Sequence, residues 1–168
     1  MTRPINLSNV DYHEIARRGD TEVMELFLEH GLEPDLTDAK GHSLLLVAAY
    51  NDQPEMVKLL LCYGADPDLP DRSGNTPLMG MGFRGLTDLG VLLLESGAAP
   101  DARNGSGATA LFFAAMFGRA ELVRELLARG ADPGLRDDEG RTAADHARRE
   151  GNAALAELLT GTQVSAQG

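Results

Sequence analysis

The sequence predicts an all-α solenoid of stacked helical hairpins joined by projecting β-turn fingers, because separate columns of residues repeat at one period. Gly41, Gly74, Gly107 and Gly140 are spaced by 33, as are Gly31, Gly64, Gly97 and Gly130, and so are Pro34, Pro67, Pro100 and Pro133. Leu28, Leu61, Leu94 and Leu127 keep the same step, and Glu22, Glu55, Asp88 and Glu121 hold an acidic column through it. Self-similarity at such a period marks stacked supersecondary units that cannot bury their apolar faces alone.

A single repeat domain is expected over 1–168. It opens with a helical N-terminal cap over 9–37 and continues through full repeats over 38–70, 71–103 and 104–136. A C-terminal cap repeat over 137–161 closes it, leaving Thr162 to Gly168 as a frayed tail. The unit from Asp71 to Arg103 supplies the local reasons. Gly74 relieves a turn, Thr76 is a good N-cap, and Pro77 suits the first helical position, where its missing N–H would be unpaired anyway. A short helix therefore begins at Pro77, and Gly85 ends it. A second helix from about Asp88 carries Leu89, Leu92 and Leu93 at helical spacing, with Gly97 placed as a left-handed terminator. The link from Ala98 to Gly107 is too polar and too rich in Gly and Pro for helix, so it projects as a finger.

The stretches Asp71-Arg72-Ser73-Gly74-Asn75-Thr76-Pro77-Leu78, Leu59-Leu60-Leu61-Cys62-Tyr63-Gly64-Ala65-Asp66 and Arg129-Gly130-Ala131-Asp132 resemble the ankyrin-repeat family, whose unit of about 33 residues opens with a T-P-L-H-x-A-like helix start. The resemblance covers nearly the whole chain. The column where that family often carries histidine holds Leu46, Met79, Phe112 and Asp145, so apolar contact is expected to replace hydrogen bonding there. The resemblance implies a non-enzymatic module that binds a protein partner through a concave groove and turn fingers. The cap-to-cap architecture is similar to small stand-alone bacterial ankyrin-repeat proteins, some of which sit beside catalases or serve as immunity or accessory factors.

Composition narrows the partners. The chain has 168 residues, 43% hydrophobic and 24% charged, and 15 basic against 26 acidic residues give a formal net charge of −11. That balance suits a soluble globular protein and repels nucleic-acid backbones and anionic membranes. The first residues lack the apolar run of a signal peptide, so the cytoplasm is the expected compartment, and the protein alone is expected to be a monomer. Cys62 is the only cysteine, which excludes an intramolecular disulfide, and its place at the end of an apolar helix gives it a structural reading.

Gly80-Met81-Gly82-Phe83-Arg84-Gly85 spells the G-x-G-x-x-G of dinucleotide sites, which makes a nucleotide-binding enzyme the alternative function, beside a purely structural dimer module. That fingerprint needs a preceding strand and must open a helix, whereas this run sits inside and at the end of one, with its glycines replacing alanines. Alanine at Gly80 or Gly82 is accordingly expected to be neutral or stabilising by up to about 1 kcal/mol. His13, His30, His42 and His146 fall at unrelated repeat positions without zinc-site spacing and are expected at the surface or in caps. No catalytic group, cofactor or metal is expected.

The candidate site comes from the first-helix ends and the fingers. The ends carry Tyr50 and Asn51, Phe83 and Arg84, Met116 and Phe117, and Arg149, rich in the aromatic and arginine types that dominate interface hot spots. Arg72, Arg103 and Arg136 stand on the fingers. Glu22, Glu25, Glu29, Glu55, Asp88, Glu95, Glu121 and Glu157 fall on second helices, predicting an acidic back behind a mixed or mildly basic groove.

Overall fold

The four first helices after the N-terminal cap begin at hydroxyl residues in one column, Ser43, Thr76, Thr109 and Thr142. In a computed structural model describing residues 10–164, Ser43 Oγ accepts the Leu46 amide at 3.0 Å and Thr76 Oγ1 accepts the Met79 amide at 3.4 Å. Each bond satisfies a donor that helix geometry leaves without an intrahelical partner. The helices that begin after these four residues are α3 (Leu44–Tyr50), α5 (Pro77–Arg84), α7 (Ala110–Met116), whose Thr109 makes no such bond, and α9 (Ala143–Arg149). The cap contributes α1 (Tyr12–Arg18) and α2 (Thr21–Glu29), and the second helices are α4 (Pro54–Cys62), α6 (Thr87–Glu95), α8 (Ala120–Ala128) and α10 (Ala153–Val164).

First helices stack on first helices from α1 to α9, each second helix packs on its own first helix, and among second helices α2 meets α4 and α6 meets α8, so the core is a seam between two helical layers. Met56, Val57 and Leu60 on α4 are buried, and one period later so are Leu89 and Leu93 on α6 and Leu122, Val123 and Leu126 on α8. Gly31, Gly64, Gly97 and Gly130, with φ between 87° and 96°, turn the chain out of these helices in a conformation that L side chains resist.

One repeat fills the seam differently. Ala48, Ala114 and Ala147 share a column with Met81, and Val57, Val123 and Ala156 share one with Gly90. Met81 is fully buried, and a methyl group added at Gly90 would lie 3.6 Å from Met81 Cβ and 2.7 Å from Leu122 Cδ1. The larger side chain on α5 is offset by the missing one on α6, as close packing at constant volume requires.

The fingers are locked by a second column, Asp38, Asp71, Asn104 and Asp137. In each, one side-chain oxygen accepts two backbone amides, from Lys40 and His42, Ser73 and Asn75, Ser106 and Ala108, and Glu139 and Arg141, at 2.8–3.0 Å. Asp and Asn are short enough to close such turns on themselves. Register between repeats is set by a third column, in which Asp35, Asp68 and Asp101 accept the amides of Asp66, Ala99 and Asp132 from the following repeat. The fourth position is Gly134, which has no side chain to accept an amide.

Three expectations are corrected. Asp145 does not replace hydrogen bonding by apolar contact: its carboxylate accepts the Thr142 amide and hydroxyl, completing a capping box, while Met79 and Phe112 in the same column are buried as expected. His146 is neither a surface nor a capping residue. It is 6% exposed, and its Nε2 lies 2.8 Å from Asp137 Oδ2, a partner that makes burial of a polar ring affordable. Helix α10 runs to Val164, so the backbone of 162–164 is helical where fraying is expected; no proline interrupts it and the helix propagates. The rest of the expected tail, 165–168, lies outside the described residues.

Candidate functional site

Three aromatic rings stand side by side at the ends of the first helices. Tyr50 and Phe83 stack with centroids 6.2 Å apart and planes 16° apart, and Phe117 meets Phe83 edge-on at 4.7 Å. Their exposures of 37%, 41% and 39% leave them neither core nor free. Phe117 lies one position out of column with Tyr50 and Phe83, yet its ring closes the row. The Arg84 guanidinium carbon sits 5.2 Å from the centre of the Tyr50 ring, within range for a cation–π contact. No carboxylate pairs with Arg84 among the described residues.

Beside the row a cleft of about 570 Å³ opens between α3, α5 and the fingers, with Leu46, Val47, Met79 and Phe113 among its walls and His42 and Asp71 at its rim. Its floor is Gly80. The column there reads Val47, Gly80, Phe113 and His146, so Gly80 omits a side chain where its neighbours carry large ones, and it does not replace an alanine as its spelling suggests. A methyl group at Gly80 would meet only Tyr50 Cδ2, at 3.5 Å.

Gly82 does stand in an alanine column, with Ala49 and Ala115, but alanine is not neutral there. An added methyl group would lie 2.8 Å from the Ala110 carbonyl oxygen and 3.1 Å from the Ala114 nitrogen, because α5 and α7 approach closely at that point. The expectation for Gly82 is thereby overturned. The amides of the glycine run are also committed, with Gly80 N–H donating to Thr76 O and Gly85 N–H to Met81 O. A phosphate cradle needs such amides unpaired and pointing at the ligand.

The remaining predicted residues scatter. Asn51 is half-buried and its Nδ2 donates to Val47 O at 2.8 Å. Met116 is half-buried and Arg149 exposed, in column with Tyr50 and Phe83. On the fingers, Arg103 donates to Arg136 O and Arg136 to Gly140 O, both at 2.6 Å, while the exposed Arg72 lies against Gly41. The cleft at Gly80 and the Asp/Asn turn column were missed by reading residues along the chain. Both are visible once the sequence is written in its period.

Charge divides between the layers. On the second-helix side Glu22, Glu25, Glu29, Glu55, Asp88, Glu95, Glu121 and Glu157 are exposed; of the cations there, Lys58 and Arg129 are paired with Glu55, Glu95 and Glu125, and Arg124 is exposed. On the first-helix side Arg17 and Arg18 share the one carboxylate of Glu14, which holds its pKa below the ordinary value. Asp38 and Asp137 are likewise lowered: burial pushes each pKa up, and the amides and the histidine bonded to each carboxylate outweigh it. Among the described residues no group of three or more His, Cys, Asp or Glu is placed to hold a metal, and Cys62 is exposed. No described helix is long and apolar enough to cross a membrane.

A family model for ankyrin repeats in three copies matches residues 12–80 and again 81–167. The chain belongs to the ankyrin-repeat family. Its fold is the family's all-α repeat solenoid, and ankyrin repeats generally mediate protein–protein interaction. No curated protein matches the chain. Within this ankyrin domain, the aromatic row and the adjoining cleft occupy the first-helix ends of the repeats, beside the fingers.

Proposed function

We propose that this ankyrin-repeat protein is a non-catalytic binding module that holds a protein partner on the face formed by its first-helix ends and fingers. One observation carries this: Tyr50, Phe83 and Phe117 form a continuous, two-fifths exposed aromatic row next to an apolar cleft. Contiguous exposed apolar surface rimmed by polar groups marks interaction sites, and aromatic and arginine residues supply most hot spots. The opposite layer is predominantly acidic, with eight exposed carboxylates against Lys58, Arg124 and Arg129, which suits a solvated back. Arg72, Arg103, Arg136 and Arg149 extend the proposed surface along the fingers and toward the C-terminal cap.

The protein acts as a cytoplasmic monomer until it meets this partner. A dedicated partner, of the kind served by bacterial accessory, catalase-associated or immunity ankyrin proteins, fits a short repeat array with one aromatic row. Hydrogen exchange on the complex with a partner captured from the native lysate tests the face. Protection concentrated at the ends of α3, α5 and α7 and on the fingers supports it, and protection confined to α4, α6 and α8 rejects it.

A further inference from the structure

The cleft at Gly80 is specific to one repeat boundary, and its chemistry says more than that a partner binds nearby. Its walls are apolar: Leu46 and Val47 come from α3, Met79 from α5 and Phe113 from α7, and the Tyr50 ring leans over Gly80 as its roof. At about 570 Å³ it matches the volume of pockets that bury a ligand group, and it opens along the same surface as the aromatic row. A cleft open to a groove takes a side chain projecting from a polypeptide laid along that groove.

Its rim discriminates by charge. Asp71 lies there and keeps its negative charge, but one of its oxygens accepts the Ser73 and Asn75 amides and the other the Asn75 side chain, which ties the carboxylate into its own turn. Arg84 faces the Tyr50 ring with no carboxylate partner among the described residues. Arg17, at the other edge, shares Glu14 with Arg18, so two guanidiniums have one carboxylate between them. His42 uses Nδ1 on Asp38, which leaves Nε2 at the rim as the nitrogen able to accept a partner's N–H in the neutral ring. On a molecule of net charge −11, this is a place where Arg84, with no carboxylate partner among the described residues, offers a positive group to an acidic segment.

We infer that the Gly80 cleft receives one bulky apolar or aromatic side chain from an extended partner segment whose neighbouring residues are acidic, with Arg84 pairing the flanking carboxylate. This rests on the protein-binding reading above and adds the recognised chemistry. The site exists because α5 carries glycine where α3 and α7 carry Val47 and Phe113. It follows that Gly80→Val, a residue the same column already accommodates, fills the cleft without threatening the fold; only Tyr50 Cδ2 stands near the new Cβ, at ordinary contact distance.

The test uses the full chain and short synthetic peptides in a Gly-Ser background, each with one central Phe flanked on both sides by Glu, by Gln or by Lys, read by amide chemical-shift titration. The Glu-flanked peptide is expected to shift amides of α3 and α5 and to bind about tenfold more tightly than the Lys-flanked one. Gly80→Val should lose at least about tenfold in affinity with an unchanged or higher melting temperature. Arg84→Gln should keep binding of the Gln-flanked peptide and erase the preference for Glu over Gln. Equal binding of Glu- and Lys-flanked peptides overturns the inference, as does a Gly80→Val protein that binds as the wild type does, or a wild type whose α3 and α5 amides do not respond. These failures are separable from failure of the broader reading: a captured partner that still needs Tyr50 and Phe83 but ignores Gly80→Val removes the cleft and leaves the groove.

Discussion

Gly82 lies against Ala110, so close that a methyl group on Gly82 would stand 2.8 Å from the Ala110 carbonyl oxygen. The neighbour is backbone and cannot swing aside, so relief requires α5 and α7 to separate. Gly82→Ala is expected to destabilise the protein by about 1–3 kcal/mol, the usual cost of overpacking. Gly80→Ala, two residues away with only an ordinary contact, should stabilise by up to about 1 kcal/mol through helix propensity. Urea unfolding of the two variants separates them by sign, and equal effects would contradict the packing described for α5 and α7.

Asp52 is the exception in a column of left-handed residues. Gly19, Gly85, Gly118 and Gly151 adopt φ of 67–77° there, and Asp52 does so at 56° as the one non-glycine residue with positive φ among the described residues. Asp52→Gly is expected to raise stability by about 0.5–1 kcal/mol, since glycine enters that region without the steric cost of a Cβ. A midpoint in urea that stays unchanged or falls would show that the Asp52 side chain contributes more than its backbone costs.

The turn locks predict a substitution pattern. Asn104 makes the same pair of amide contacts as Asp38, Asp71 and Asp137, so Asp71→Asn should leave the melting temperature within a few degrees of wild type. Asp71→Ala strands the Ser73 and Asn75 amides and should cost about 1–2 kcal/mol, measured by equilibrium unfolding.

Acid should weaken the fold through the same column. Asp38 and Asp137 have folded pKa values below the ordinary carboxylate value. A depressed folded pKa contributes stability that is complete above the unfolded value of about 3.9 and is lost as pH falls through the folded value. Unfolding free energy measured from about pH 5 to pH 2 should therefore drop. The drop should be smaller in Asp137→Asn, whose side chain does not titrate. An identical slope in that variant would remove Asp137 from the account.

Nucleotide binding is expected to be absent, because the Gly80 and Gly85 amides are used within α5. A thermal-shift titration with NAD or ATP should show no saturable change. A micromolar saturating response lost in Gly80→Val would reverse this.

Helix starts, helix ends and the stacking period were legible because Thr76, Pro77, Gly85 and Gly97 each act locally, on their own backbone. What was not legible depends on contacts between repeats. Gly80 and Gly82 look alike in sequence, yet one faces an open cleft and the other a carbonyl of the next helix. His146 reads as a lone surface histidine until Asp137, nine residues earlier, is brought to its ring. Arg84 was visible as an exposed cation, but its place over Tyr50, in the preceding repeat, depends on the stacking of α3 against α5.

The central claim is that the row of aromatic residues binds the partner. It is tested most directly by measuring affinity for a captured partner and melting temperature on the same alanine variants of Tyr50, Phe83, Arg84 and Phe117, with Glu55, Asp88 and Glu121 as the opposite-face set. The row variants should lose roughly thirtyfold or more in affinity, the scale of a hot spot, while melting temperatures move by only a few degrees, and the acidic set should change affinity little. Affinity losses no larger than the stability losses would make the rings core, and undiminished binding in all four variants would place the partner elsewhere.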